Sequence, residues 1–178
     1  MLRTVGPEQA ELVASWATSE QEARWWAGAP YPVPPSLVSS WADDPDAHGF
    51  VLYHGTEPIA YGEIWDDADE GESELAHLIV APDCRGQGFG RRLVRSLVPR
   101  AGFGALVMRV HPDNSAAQAV TSAPVSAGWT RPAKRSGTRL SRCATSGWST
   151  PPSEWCGLRH RVVGDTGDRS FVLSGGSR

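Results

Sequence analysis

The sequence predicts an α/β domain, because segments of strand length alternate along the chain with segments of helical periodicity. An apolar strand candidate, Leu75 to Val80, is followed by a glycine-rich turn and then by apolar residues at helical spacing from Leu93 to Val98. Three strand candidates precede this unit and another follows it. The 178 residues, 40% of them hydrophobic, are enough to build one core of this class.

The first part of the chain predicts a brief strand and then short helices. Pro7 favours the first turn of a helix, and Thr18 or Ser19 can cap a second helix that contains Trp25 and Trp26. A third helical piece follows a proline-rich loop. The two adjacent tryptophans have two interpretations: they pack the helix on the core, or they line a ligand pocket.

The middle of the chain predicts a hairpin and further strands. Residues 48–54 and 59–65 are rich in aromatic and β-branched residues, and a four-residue turn joins them. An acidic loop at 66–73 leads into the central strand, and residues 105–110 form the next apolar strand. The acidic loop is either a solvated turn or the source of a field that attracts a cationic ligand.

The segment from Arg85 to Gly90 reads R-G-Q-G-F-G and lies between the central strand and its helix. Glycines let the backbone turn tightly and leave N–H groups uncovered at the start of the helix. Such amides, together with the positive end of the helix dipole, favour a phosphate group. The spacing matches neither G-x-G-x-x-G with an acidic partner nor G-x-x-x-x-G-K-[ST], which excludes the dinucleotide-binding and P-loop motifs.

This turn resembles the pyrophosphate loop of the GNAT superfamily of N-acetyltransferases, whose pattern is [QR]-x-x-G-x-[GA] after a strand. Arg85, Gly88 and Gly90 occupy the three fixed positions, and V-A-P precedes them as in that family. The segment H-P-D-N-S-A-A around Asn114 resembles the family's P-x-N-x-x-A element. The resemblance spans residues 2–118 and implies a three-layer α/β fold, with a mixed central sheet and helices on both faces.

The resemblance also implies a function. The expected reaction is direct transfer of an acetyl group from acetyl-CoA to a primary amine of a small molecule or peptide, with no metal. The pyrophosphate would bind the glycine turn, the pantetheine arm would follow the central strand, and the Asn would contact the coenzyme. The residues expected to hold acetyl-CoA are Leu78, Ile79, Val80, Arg85, Gly86, Gln87, Gly88, Phe89, Gly90, Arg91 and Asn114.

The expected acetyl transfer needs a base for the amine, a donor for the thioester oxygen and an acid for the departing thiolate, the last being the role that the resemblance implies for a tyrosine. Three residues on or beside strand ends are candidates for the base: Glu74, Glu63 and His77. Strand alternation predicts that Glu74 and His77 lie on opposite faces, so at most one of them reaches the cleft. Each candidate also has a plain interpretation as a solvated or packed side chain. The oxygen donor is expected to be a backbone amide near Ile79.

The composition also indicates which other classes of protein this chain does not resemble. Three cysteines without C-x-x-C spacing and five scattered histidines indicate neither a disulfide framework nor a metal site. The sequence contains no membrane-length apolar run and no signal-peptide pattern, so we expect a cytoplasmic protein without a membrane partner. The sequence does not distinguish a monomer from a homodimer.

The C-terminal third departs from the family pattern. Residues 1–119 hold 17 acidic and 8 basic residues, a charge of −9, whereas residues 120–178 hold 3 acidic and 9 basic, a charge of +6. The family's tyrosine, seven residues after the Asn, is here Thr121. We therefore expect a core at residues 1–118 and an atypical tail at 119–178, poorly packed and with few contacts to the core.

We interpret this departure as the result of one missing base after codon 118, in preference to a genuinely divergent tail. In the shifted frame, Tyr falls at the position of Thr121, and Gly-Phe falls at Val125 and Ser126, as the family spacing requires. The printed tail offers short strand candidates only at 158–163 and 170–173.

Three alternatives to an active enzyme remain. They are a non-catalytic acyl-CoA-binding module, an inactive frameshifted product, and a nucleic-acid-binding protein that uses the arginines of the tail. The last is disfavoured, because nine basic residues scattered among Gly and Pro form no binding motif. We accordingly expect no nucleic-acid partner.

Overall fold

The computed structural model describes residues 1–121 and 158–162. Six strands form one sheet in the order β1-β2-β3-β4-β5-β6. The strands are β1 (Leu2–Thr4), β2 (Ala47–His54), β3 (Glu57–Asp67), β4 (Glu72–Val80), β5 (Ala105–Val110) and β6 (Leu158–Val162). The helices are α1 (Ala10–Ser15), α2 (Glu20–Ala27), α3 (Pro35–Ser40), α4 (Phe89–Leu97) and α5 (Ser115–Thr121). None of the helices in these described ranges has the length and apolar content needed to span a membrane.

The sheet is mixed. Each pair of neighbouring strands is antiparallel except β4 and β5, which are parallel. A parallel pair needs a crossover, and α4 supplies it between the end of β4 and the start of β5. The predicted hairpin, central strand, glycine turn and following helix and strand are all confirmed.

Two hydrophobic clusters cover the two faces of the sheet. On one face, α1, α2 and α3 pack against Val51, Tyr61 and Ile79, and we call this the α2 face. On the other, α4 packs against Leu52 and Ile64, and we call this the α4 face. Adjacent residues of one strand therefore serve different cores, as strand alternation requires. The predicted three-layer arrangement, with helices on both faces, is confirmed.

Helix α4 lies close to the sheet because β3 carries Gly62 beneath it. A Cβ at Gly62 would collide with the side chain of Leu78 and would stand 3.2 Å from those of Leu93 and Leu97. Both leucines of α4 are fully buried. Burial of one such side chain contributes roughly 1.5–3 kcal/mol to the free energy of folding. The two leucines therefore hold the helix that follows the glycine turn against the sheet.

Strand β6 corrects one expectation about the tail. It pairs antiparallel with β5 from Leu106 opposite Val162 to Val110 opposite Leu158, so the expectation of few contacts is wrong for this segment. The reason is that backbone pairing satisfies the N–H and C=O groups along β5 without requiring apolar side chains. The candidate at 170–173 lies outside the described residues.

Candidate active site

Strands β4 and β5 are paired only along the first half of β4. The parallel ladder runs from Glu72 opposite Ala105 to Leu75 opposite Met108, whereas β5 continues to pair with β6 up to Val110. Beyond Leu75, the β5-facing edge of β4 has no strand partner among the described residues. We call the space between the second half of β4 and the end of β5 the gap.

Backbone amides of β4 point into this gap. The Ala81 amide donates to the Ile59 carbonyl at 2.9 Å, so it faces β3. Amide directions alternate along a strand, so Ile79 also faces β3 while Leu78 and Val80 face the gap. This refines the expectation of an oxygen donor near Ile79, because its two neighbours have the suitable direction.

A β-bulge at His77 changes the faces of the candidate bases. The pairing of β4 with β3 slips by one residue between Ala76 and Ile79. His77 has a φ of +48°, a left-handed conformation that a non-glycine residue rarely adopts. The extra residue turns the His77 side chain to the α2 face, where Glu74 also lies opposite Trp65. The prediction that alternation separates Glu74 from His77 is therefore wrong.

Glu63 forms the centre of a buried cluster on the α2 face. Its carboxylate is 1% exposed and accepts hydrogen bonds from the Tyr61 hydroxyl, from Trp65 Nε1 at 2.5 Å and from His77 Nδ1 at 3.1 Å. Burial raises the pKa of Glu63, but the attraction of His77 in its protonated form and the hydrogen bonds from His77, Tyr61 and Trp65 outweigh burial and hold that pKa below its usual value. Burial and the Glu63 charge raise the pKa of Tyr61. Glu63 is therefore ionised and Tyr61 is neutral.

The carboxylate fixes the chemistry of His77. An ionised carboxylate can only accept, so His77 Nδ1 carries a proton toward Glu63, and the neutral ring has its lone pair on Nε2. Trp41 stacks on the imidazole with ring centroids 3.7 Å apart, and Trp65 contacts it edge-on at 5.3 Å. The arrangement is that of a base oriented by a carboxylate.

Glu74, the third candidate, already has a cationic partner. Its Oε2 lies 2.9 Å from Nη2 of Arg109, which projects from β5. The guanidinium balances the carboxylate charge, so Glu74 is less suited than His77 to take a proton. The sequence offered no sign of this pair, because the two residues are distant in the chain and meet only through the parallel ladder.

The glycine turn has the geometry of an anion site. Gly86 and Gly88 have φ values of +72° and +83°, and Gly88 caps the N-terminus of α4. A Cβ at Gly88 would meet no atom within 4 Å, so the turn is open on that side. Gln87 Nε2 donates to the Asp83 carbonyl at 2.9 Å and steadies the turn. The N–H groups of the first helical turn have no partners within α4, as at any helix start.

Besides Gln87, three of the predicted coenzyme residues have side chains that already make polar contacts within the protein. Arg85 donates to the carbonyl oxygens of Val80 and Trp16 and pairs with Glu22. Arg91 donates to the Ala119 carbonyl at 3.2 Å. The side-chain oxygen of Asn114 accepts from the Ala117 amide at 3.0 Å and so caps α5. Phe89 is half-buried and packs against the hydrophobic cluster on the α4 face.

Helix α2 spans the gap with its two tryptophans. Trp26 Nε1 donates to the His77 carbonyl at 2.7 Å, and Trp25 stacks on His111, just after β5, with centroids 5.3 Å apart. Trp26 therefore packs on the central strand, as the first interpretation predicts, and Trp25 stacks beside the gap. A role for either tryptophan in a ligand pocket stays a prediction. Six residues of the site were not predicted from the sequence: Glu22, Trp41, Tyr61, Trp65, Arg109 and His111. Only the alternation of Tyr61, Glu63 and Trp65 along β3 could have indicated a shared face.

The profile of the acetyltransferase (GNAT) family matches residues 13–122 of this chain. Mycothiol acetyltransferase from Acidothermus cellulolyticus is 34% identical over 82 residues, which is 45% of this chain and 21% of the relative. The same enzyme from Streptosporangium roseum is 31% identical over 91 residues, 51% of this chain and 26% of the relative. The aligned segments thus span about a quarter or less of these curated relatives.

Solved structures show the same fold. The acetyltransferase AAC(6')-Ib in complex with ribostamycin and coenzyme A matches with a TM-score of 0.56 and 18% identity, over 67% of this chain and 78% of that one. A variant of spermidine N-acetyltransferase SpeG from Vibrio cholerae matches with a TM-score of 0.55 and 18% identity, over 67% and 76%. With the family profile covering more than half of its residues, the chain belongs to the acetyltransferase (GNAT) family.

Proposed function

We propose that the chain transfers the acetyl group of acetyl-CoA to a primary amine of a small molecule or peptide. Family membership supports acetyl transfer in general. The observation that carries the proposal is an open glycine turn, a β4 edge that has no strand partner at Leu78 and Val80 among the described residues, and the Glu63–His77 pair, all beside one gap. Each of the three suits a different part of the reaction.

The coenzyme would lie along the gap. Its pyrophosphate would bind the amides of the turn at Gly86 to Gly90, where the helix dipole favours negative charge. The pantetheine arm would add to the edge of β4 through the amides of Leu78 and Val80. This places the thioester beside the bulge at His77. Solved structures of similar fold contain coenzyme A or acetyl-CoA, which supports the choice of donor.

The proton transfers follow from the Glu63–His77 pair. His77 Nε2 takes a proton from the acceptor ammonium, and Glu63 stabilises the resulting imidazolium. The free amine attacks the thioester carbonyl, whose oxygen accepts a hydrogen bond from a gap-facing amide such as that of Leu78. A C–N bond forms, the C–S bond breaks, and the proton that the attacking nitrogen loses passes to the leaving sulfur to give the free thiol. Glu74 is the alternative base if His77 proves dispensable.

The acceptor is proposed to be a small cationic amine. The relatives of similar fold include an aminoglycoside acetyltransferase and a spermidine N-acetyltransferase, both named for amine substrates. In this chain the acidic residues from Asp66 to Glu72 lie at the end of β3, in the turn that follows and at the start of β4, which is the same end of the sheet as Glu74. Its negative field would raise the local concentration of a protonated amine.

A non-catalytic acyl-CoA-binding module is the second candidate. The observation that favours it is Thr121 at the position of the family's tyrosine. We also retain the proposal that residues 119–178 result from a missing base after codon 118, and the family profile ends near that point, at residue 122. Sequencing the gene across codon 118 tests the frame directly.

Thiol release in the presence of acetyl-CoA and a panel of amines separates these candidates. Saturable release with one amine, together with coenzyme binding by calorimetry, is the expected result. Coenzyme binding without release by any amine favours the binding module, and release only after one base is restored favours the frameshifted product. A chain that binds no coenzyme would refute the enzyme and the module together.

A further inference from the structure

Helix α2 is fastened at both of its ends. Near its N-terminus, Glu22 Oε1 lies 2.6 Å from Nη1 of Arg85, the first residue of the glycine turn. Near its C-terminus, Trp26 holds the His77 carbonyl and Trp25 stacks on His111. The same helix therefore contacts the glycine turn, strand β4 and the residue that follows β5.

Glu22 connects several groups at the start of α2. Its Oε2 accepts from the amide and the hydroxyl of Thr18, each at 2.8 Å, and its own amide donates to Ser19 Oγ at 3.2 Å. This is a capping arrangement that fixes the first turn of the helix. The hydrogen bonds with Thr18 and the charge of Arg85 outweigh burial and lower the pKa of Glu22, so the carboxylate is charged near neutral pH.

Arg85 completes the connection from the other side. Besides Glu22, its guanidinium donates to the Val80 carbonyl at 3.1 Å and to the Trp16 carbonyl at 2.6 Å. These acceptors belong to the end of β4 and the end of α1. One planar side chain thus joins the central strand, α1 and α2, a geometry that the rigid donor fork of arginine suits and that lysine cannot reproduce.

We propose that Glu22 and Arg85 are a pair of positioning residues that hold α2, and with it Trp25 and Trp26, over the acetyl-transfer gap. In this role Arg85 affects the amine substrate through the position of α2, and not by direct contact with the coenzyme. The inference rests on the proposed function for its substrates, but the placement of α2 can be measured without activity. A misplacement of about 1 Å at a reacting centre can lower a rate by roughly a hundredfold, so the position of α2 matters to the chemistry.

The test compares Glu22→Ala with Glu20→Gln. Glu20 lies on the same helix and pairs with Arg24 at 3.5 Å, but that pair is 65% and 64% exposed, whereas the Glu22–Arg85 pair is 32% and 35% exposed. For Glu22→Ala we expect the kcat/KM for the amine to fall about tenfold while the Kd for coenzyme A changes less than about threefold. Hydrogen exchange of the α2 amides should become about tenfold faster. The Glu20→Gln variant should match the wild type in all three measurements.

A double-mutant cycle adds Arg85→Lys to Glu22→Ala. If the residues act through each other, the double variant should lose little more than the worse single variant. Additive losses, or unchanged α2 exchange in Glu22→Ala, would overturn the proposal. If the wild type transfers acetyl to no amine, the proposed function fails, but exchange and coenzyme affinity still decide whether the pair positions α2. A Glu22→Ala chain that does not fold is replaced by Glu22→Gln, which keeps the shape and removes the charge.

Discussion

The two ends of the gap are built in different ways. The glycine turn is an exposed site made of backbone amides, and its shape depends on left-handed conformations at Gly86 and Gly88. The bulge end is a buried site made of side chains, in which Glu63 receives hydrogen bonds from three neighbours. A backbone site tolerates change in most side chains but not in its glycines. A side-chain site depends on each partner, because an unpaired buried group is costly.

This difference predicts separable defects, and the largest is expected at Glu63. Glu63→Gln leaves three donors facing one side-chain carbonyl and removes the charge that stabilises protonated His77. We expect acetyl transfer to fall about a hundredfold or more while the Kd for coenzyme A stays within about threefold. Thiol-release kinetics and calorimetry on the same preparation measure both. A parallel loss of coenzyme affinity would show that the two ends are not separable.

At the turn we expect the reverse pattern. Gly88→Asp places a negative charge where the pyrophosphate approaches the amides, so coenzyme affinity should fall more than about tenfold, which is about 1.4 kcal/mol. Gly88→Asn is the matched control, because Asn has a similar shape and tolerates positive φ but carries no charge. Its loss should be distinctly smaller. Equal losses would assign the effect to strain at this position, and unchanged affinity would move the coenzyme elsewhere.

The dependence of stability on pH sharpens the contrast. The pKa of Glu63 is lowered on folding from its ordinary value of 4.5, so its ionised form contributes stability that is present above about pH 4.5 and is lost as the pH falls further. The free energy of unfolding of the wild type should therefore decline on acidification below that value. In Glu63→Gln this part of the decline should be absent. Denaturant titrations at several pH values measure it, and identical profiles would contradict an ionised Glu63 in the folded state.

The remaining effects concern stability and are expected at two tryptophans around His77. Trp26→Phe removes the donor to the His77 carbonyl and should cost about 1–3 kcal/mol of stability, because a buried acceptor loses its partner. Among the described residues the buried Nε1 of Trp41 has no hydrogen-bond partner, so Trp41→Phe keeps an aromatic ring beside His77 and removes an unsatisfied group. We expect Trp41→Phe to be less destabilising than Trp26→Phe in thermal unfolding. The opposite order would contradict these assigned contacts.

The same comparison explains what the sequence could predict. The turn is encoded by a contiguous motif, so the positions of Arg85, Gly88 and Gly90 indicated it together with the strand before and the helix after. The bulge has no such local signal. His77 has a left-handed φ because of how β4 pairs with β3, and one extra residue there inverted the faces assigned by alternation.

Contacts between residues that are distant in the chain also could not be predicted from the sequence. Glu74 meets Arg109, and Arg85 meets Glu22, only after the sheet and helices have assembled. The pairing of β6 with β5 is hard to predict for a related reason. A shortage of apolar side chains predicts few contacts between tail and core, but an open strand edge requires only backbone partners.

The central claim is that His77, held by Glu63 at the bulge, takes the proton in acetyl transfer. The most direct test is single-turnover thiol release by His77→Asn at saturating acetyl-CoA. Asn tolerates the positive φ, and its amide can still donate to Glu63, so the fold and the coenzyme site should persist. We predict a loss of about a hundredfold or more in the rate of acetyl transfer, with the Kd for coenzyme A unchanged within about threefold. A folded variant that transfers acetyl at the wild-type rate would contradict the claim and leave Glu74 as the base.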